Sequence, residues 1–262
     1  MELGNARILL TGASGGLGSA LARSLSWAGA ELLLAGRDAG KLNALRVHLR
    51  TRSDVVVADL NREEGIAAVA RAARDFDINV LLNNAGVGGF GLLDHQGWEE
   101  VERTLSTNLL TPIRLTQALL PWLKAQPQAA IVNVGSTFGS IPFAGFAAYS
   151  AAKAGLRGFS QALRRELADS RVDVIHLAPR AIDTPLNSPA VNALNRALGN
   201  RSDTPEAAAK KIVEILKRGD RERHIGFPES LFAWLNGVMP RLVDQGLAGK
   251  LATIKKHAST PE

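Results

Sequence analysis

The chain has 262 residues, 46% hydrophobic and 21% charged, with no cysteine. That length and apolar content suit one large α/β domain and exclude a disordered or low-complexity chain, while the missing cysteines exclude disulfides and thiolate metal sites and fit a reducing, cytoplasmic setting. Lys and Arg total 31 against 25 Asp and Glu, a formal charge of +6; these cations alternate with acids, as in "RRELADSR" and "KRGDRERH", so no nucleic-acid partner is expected.

The N-terminal "MELGNARILLTG" carries an acid at position 2 and only a short apolar run, unlike a leader peptide, and no stretch reaches the ~18 apolar residues of a membrane span. Seven β-branched or aliphatic runs follow in order: "ARILLT", "AELLLAG", "DVVVAD", "INVLLNNAG", "AAIVNVGS", "VDVIHLAP" and "RHIGFP". Several are apolar on both faces, and the segments between them are long enough for crossover helices, so a parallel sheet covered on both sides is predicted. The first two runs bracket "GSALARSLSWAG", whose Leu21, Leu25 and Ala28 share a helical face and whose Gly29 can end the helix. In "DTPEAAAKKIVEILKRG", Thr204 is the expected N-cap, Pro205 the first helical residue and Gly219 the stop. No repeat, linker or composition shift divides the chain, so residues 1–262 are read as one dinucleotide-binding domain with a built-in substrate site. Residues 228–262 form a helical C-terminal extension in this reading.

Directly after the first strand stands "TGASGGLG". A strand turning sharply into a helix offers unpaired N–H groups and a positive dipole end, both suited to a pyrophosphate, and glycines let it approach. Gly12, Ser14, Gly15, Gly16, Leu17 and Gly18 are therefore candidate dinucleotide contacts. At the end of the second strand, "LLLAGRD" offers the Arg37 guanidinium for a 2′-phosphate where an acid would favour NAD. NADP(H) is the preferred cofactor, with NAD(H) as the alternative. Asp38 beside Arg37 and glycine at position 15 argue the other way, and a solvated surface arginine is the alternative for Arg37.

"AAYSAAKAGL" holds Tyr149, the only tyrosine of the chain, four residues before Lys153, so both can face one cleft from a helix. A tyrosine with its ordinary pKa of about 10 is a poor base at neutral pH. One positive charge about 4 Å away, at an effective dielectric near 20, is worth roughly 4 kcal/mol, enough for about three pH units before desolvation. A packed aromatic ring beside a lysine that snorkels to water is the structural alternative.

The glycine spacing, Asp59 after the third strand, "NNAG" at 83–86, Asn108 within a helix, Ser136 after the fifth strand, and Tyr149 with Lys153 recur in an order that resembles the short-chain dehydrogenase/reductase family. The resemblance covers residues 6 to about 227. It implies a Rossmann-like, doubly wound, seven-stranded and mainly parallel sheet in a three-layer sandwich. Hydride transfer between a nicotinamide and a carbonyl or carbinol carbon is implied as well. By the same resemblance, Tyr149 exchanges the proton, Lys153 holds the nicotinamide ribose and lowers the tyrosine pKa, Ser136 donates to the substrate oxygen, and Asn108 holds a relay water. Asn108 is otherwise a polar helix residue bonding backbone at a kink. Asp59 and Leu60 would border the adenine, the backbone of Asn83 to Gly86, with Asn83, Ala85 and Gly86 as contacts, the adenosine ribose, and Pro179, Ile182 and Thr184 the nicotinamide. Arg180 replaces an expected glycine, and is read either as contacting an anionic cofactor or substrate or as pointing outward. No metal is expected, and a homodimer or homotetramer is implied.

The segments after Ser136 and Thr184 supply Phe138, Ile141, Phe143, Phe146, Leu186, Val191 and Leu194, read as a lipophilic pocket for a small hydrophobic carbonyl or alcohol under a lid, or else as packing. In the extension, Leu231, Leu235, Val238 and Leu242 make one stripe broken by Gly237 and Pro240, followed by Leu247, Leu251 and Ile254 beside three lysines. It would pack on the pocket or a second subunit, touch a membrane surface, or remain disordered. Two further functions stand beside the oxidoreductase: a non-catalytic cofactor sensor or scaffold, and a membrane-surface lipid-binding protein.

Overall fold

The computed structural model describes residues 1–258. Seven strands, β1 (Arg7–Thr11), β2 (Glu31–Gly36), β3 (Ser53–Val57), β4 (Val80–Asn83), β5 (Ala129–Val134), β6 (Val172–Pro179) and β7 (Glu222–Ile225), form one sheet in the order β3-β2-β1-β4-β5-β6-β7. Every neighbouring pair is parallel, so the expected mainly parallel sheet is wholly so. The strands are the seven predicted ones. In β1, Ile8 and Leu10 pack on one face of the sheet and Leu9 on the other, the period-two alternation that lets one apolar run serve two helical layers.

On the first face, α1 (Gly16–Trp27) and α8 (Pro205–Arg218) bury Leu21, Leu25, Ile212 and Leu216. On the second, α3 (Glu63–Asp75) and α5 (Thr111–Ala125) bury Val69, Leu115 and Leu119. The caps expected for α8 are present: Thr204 accepts from the N–H of Ala207, Pro205 begins the helix and Gly219 ends it at φ +79°. Helix α2 (Ala39–Arg46) follows β2, α4 (Trp98–Leu105) leads through a π-helical turn (Ser106–Leu110) into α5, α6 (Ala147–Glu166) precedes β6, and α7 (Pro189–Ala197) follows it. Because β2 and β4 lie on opposite sides of β1, the chain reverses winding there and opens a crevice at the C-terminal strand ends.

The extension is helical in its described part: α9 (Glu229–Val238), α10 (Pro240–Ala248) and α11 (Leu251–Ala258). Its predicted apolar residues divide between an outward and an inward face. Leu231, Val238 and Leu242 are exposed, whereas Ala233, Val243 and Ile254 are buried. Met239 leaves the helical region at φ −136° and ψ 63° before Pro240, so the periodicity of α9 is not carried into α10. Among the described residues no helix is long and apolar enough to cross a membrane.

Candidate active site

The phosphate-loop residues take the form their chemistry requires. Gly12 stands at φ +64°, and a side chain there would bring its Cβ within 2.7 Å of the Ala85 Cα. The loop after β1 therefore lies directly on the loop after β4. Thr11 fastens the two, its Oγ1 accepting from the N–H groups of Asn84 and Ala85 at 3.0 Å each. Gly15 is the N-cap of α1; no side chain caps the helix and no acid sits in its first turn. An anion arriving there meets backbone donors and a positive dipole end, so the residues present fit a dinucleotide phosphate.

Every residue singled out from the sequence for cofactor or chemistry lines one cleft except Asn83. Asn83 is the last residue of β4, is buried, and donates to Asn133 Oδ1 at 2.8 Å. Its neighbour Asn84 takes the cleft position, donating to the Thr11 carbonyl at 3.0 Å. Side chains alternate along a strand, so of two adjacent asparagines only one can face the crevice.

The exposed Arg37 lines the same cleft. Asp38 is directed elsewhere: its carboxylate caps α2 by accepting from the Lys41 N–H at 2.9 Å and pairs with the Lys41 amine at 3.4 Å. These contacts, led by the backbone donor, hold its carboxyl below the usual range. Asp59 accepts from the Asn61 N–H at 3.1 Å and pairs with Arg62 at 3.7 Å.

Ser136 follows β5 and accepts from the Phe138 N–H at 3.2 Å, which leaves its own hydrogen for the hydroxyl of Tyr149. The turn holding Ser136 reaches Tyr149 because Gly139 has no side chain: a Cβ there would lie 2.7 Å from the Lys153 carbonyl oxygen. Tyr149 sits in the first turn of α6, its ring edge-on to Phe138 and Phe146. Burial pushes the phenol above its ordinary value, and the Ser136 hydrogen bond opposes this without reversing it. Lys153 is buried with its amine donating to the Val134 carbonyl at 3.0 Å and does not snorkel to water. Burial lowers its pKa to about 8. The amine lies 5.8 Å from the Tyr149 ring centre. The lowering expected from the sequence draws on Lys153 together with the positive charge of an oxidised nicotinamide; within the protein alone burial outweighs the Ser136 hydrogen bond.

Asn108 lies in the π-helical turn, a feature common at functional sites. Its amide donates to the carbonyls of Val87 and Thr104, both at 3.0 Å, and its oxygen accepts from the Val87 N–H at 3.2 Å. The side chain is thus engaged with backbone, the structural alternative weighed above. Arg180 does not point outward: it lines the cleft, is largely buried, and pairs with Asp203 at 2.6 Å and Glu229 at 3.9 Å. Sequence reasoning also passed over Arg103, Thr107 and Thr111, which line the cleft from successive turns; their spacing of four was the available signal.

A second cavity, of about 1130 Å³, meets the first at Ser136 and Tyr149. Phe138, Ile141, Phe143, Phe146, Leu186 and Val191 line it as expected. Leu194 instead packs beneath, buried with Phe146 and Ile254. The farther wall comes from α9, α10 and α11.

Residues 6–195 match the family model described as short chain dehydrogenase. The uncharacterized oxidoreductase YxnA of Bacillus subtilis is 31% identical, the alignment spanning 97% of this chain and 74% of that one. A short-chain dehydrogenase from Sphingobium yanoikuyae in complex with NADPH is similar at TM-score 0.79 and 29% identity, covering 91% and 95% of the two chains. A bulky-bulky ketone specific alcohol dehydrogenase from Comamonas testosteroni gives 0.75 and 26%, covering 95% and 94%. With its wholly parallel sheet, its glycine loop on α1 and a family match over most of its length, the chain belongs to the short-chain dehydrogenase/reductase family of oxidoreductases.

Proposed function

We propose that the protein reduces lipophilic ketones or aldehydes with NADPH, or oxidises the corresponding alcohols. The observation that carries this reading is the meeting of a glycine-loop cleft and a large aromatic cavity at Ser136 and Tyr149. The NADPH-bound relative and the ketone-specific relative support the cofactor and the substrate class respectively. Arg37, left exposed while Asp38 is engaged with Lys41, supports a 2′-phosphate over a bare ribose.

When bound, the cofactor supplies or accepts hydride at its nicotinamide. The N–H groups of the loop from Gly12 to Gly18 hold its phosphates, Asp59 and Leu60 border the adenine, and Ala85 and Gly86 the adenosine ribose. Pro179, Ile182 and Thr184 flank the nicotinamide, and Lys153 binds its ribose. Ser136 donates to the substrate oxygen, and the Tyr149 hydroxyl exchanges a proton with that oxygen. The phenol can give its proton to a carbonyl oxygen during reduction, and the tyrosinate can take the proton of an alcohol in the reverse direction. The Lys153 charge, still largely present at pH 7, favours the tyrosinate once the proton has gone. A relay water at Asn108 would be held by its main chain, since its side chain is engaged.

Residues 1–262 act as one domain in which the C-terminal helices complete the substrate cavity, in a cytoplasmic setting. The outward face of α9 and α10 exposes Leu231, Trp234, Val238, Met239 and Leu242, which supports a second copy of the chain covering it. Sedimentation velocity should give a dimer or tetramer; binding to liposomes by a monomer would favour the bilayer instead. The sensor alternative lacks its expected signature, loss of Ser136, Tyr149 or Lys153. A panel of carbonyls and alcohols read by nicotinamide absorbance with each cofactor tests the activity. Tyr149→Phe should lower turnover about 10²- to 10⁴-fold with cofactor binding retained. Equal turnover would overturn the assignment.

A further inference from the structure

The large cavity is not uniformly apolar. Aromatic rings line it beside Tyr149, and so do Asn195, Asn200 and Arg201, at and after the end of α7, and Lys250 and His257, at the two ends of α11. Lys250, Ile254 and His257 are four and three residues apart and so share one helical face. Ile254 identifies that face as the inward one, since it is buried against Phe146 and Leu194. Lys255 and Lys256, by contrast, are exposed. A basic pair on the inward face of a helix, bordering an apolar cavity, is the reverse of amphipathic order.

Among the described residues Arg201, Lys250 and His257 have no carboxylate partner. His257 Nδ1 lies 2.9 Å from the Thr253 carbonyl oxygen. That carbonyl can only accept, so Nδ1 carries a hydrogen, and Nε2 donates to an anion when the ring takes up a second proton beside the permanent charge of Lys250. Two acids also border the cavity: Glu229, whose Oε2 lies 3.9 Å from Arg180 with no hydrogen-bond donor among the described residues, and Glu100, which accepts from Gln96 at 3.4 Å.

We propose that Lys250 and His257 bind an anionic end group, a carboxylate or a phosphate, of an elongated apolar substrate whose carbonyl reaches Tyr149. This identification rests on the oxidoreductase reading for the carbonyl end, while the anion site stands on Lys250, His257 and Arg201. The cavity volume of about 1130 Å³, just above the range of about 300–1000 Å³ usual for small-molecule sites, accommodates such a chain.

Calorimetry on the full-length protein tests it with ligands rather than turnover. The probes are a series of straight-chain oxo-carboxylates with the ketone remote from the acid, their methyl esters, and the matching alkyl phosphates. The best acid or phosphate should bind at least about tenfold more tightly than the uncharged ester of the same length. Lys250→Gln should remove that preference while leaving ester affinity within about twofold, and Lys250→Glu should transfer it to ω-amino ketones. The carboxylate and phosphate arms identify the head group. Equal binding of acid, phosphate and ester by the wild type, or an equal loss for charged and uncharged probes in Lys250→Gln, would overturn the proposal. Lys250-dependent anion binding without turnover of any carbonyl would support the site and count against the oxidoreductase reading alone.

Discussion

Arg180 ties three parts of the molecule together, and the cost of removing it follows from its partners. Its guanidinium, 14% exposed, meets Asp203, 9% exposed, at 2.6 Å, and Asp203 also holds Lys211 at 3.1 Å. Breaking a buried pair costs about 3–5 kcal/mol when the remaining charge is left uncompensated. In Arg180→Met, Asp203 keeps Lys211, so a loss of about 2 kcal/mol is expected. Lys211 is 43% exposed, and Lys211→Met alone should cost less than about 1 kcal/mol. Together they strip Asp203 of both cations, and the double variant should lose about 4–5 kcal/mol, more than the two singles combined. Urea unfolding followed by circular dichroism measures this: with a slope near 3 kcal/mol/M, the double variant's midpoint should fall by about 1.5 M at constant slope. Additive losses would refute the reasoning, for they would mean that Asp203 does not depend on the pair for its charge.

Gly12→Ala should destabilise the chain by about 1–2 kcal/mol from the left-handed conformation alone, and the 2.7 Å approach to Ala85 should weaken NADPH binding further; fluorescence titration showing wild-type affinity would contradict the loop geometry. His176 is buried beside β5, with neither ring nitrogen hydrogen-bonded among the described residues. Burial lowers its pKa from 6.5 to about 4, opposed by the charge of Glu222 and assisted by Arg157 and Lys153. The unfolded chain therefore binds the extra proton first as pH falls. Stability contributed by neutral His176 is full above about pH 6.5 and is lost toward pH 4, by about 3 kcal/mol at roughly 1.4 kcal/mol per pH unit. His176→Leu should flatten that part of the stability profile, and an unchanged slope would show that other groups carry it.

Strand count, helix caps, the glycine loop and the spacing of Tyr149 and Lys153 were legible in the sequence because each depends on residues a few positions apart. Thr204, Pro205 and Gly219 act within one turn of the chain ends they cap, and the apolar runs announce a sheet buried on both faces. Only the tertiary structure decided which of Asn83 and Asn84 faces the cleft, since that depends on where β4 ends against β5. The partners of Arg180 could not be read either: Asp203 is 23 residues away and Glu229 lies in a different helix. Likewise, the break at Met239 turns α10 away from the stripe of α9, and the packing of Ile254 then brings Lys250 and His257 to the cavity. Local periodicity and capping are short-range and survive in one dimension, whereas charge pairing and cavity walls join segments distant in sequence and exist only once the chain has packed.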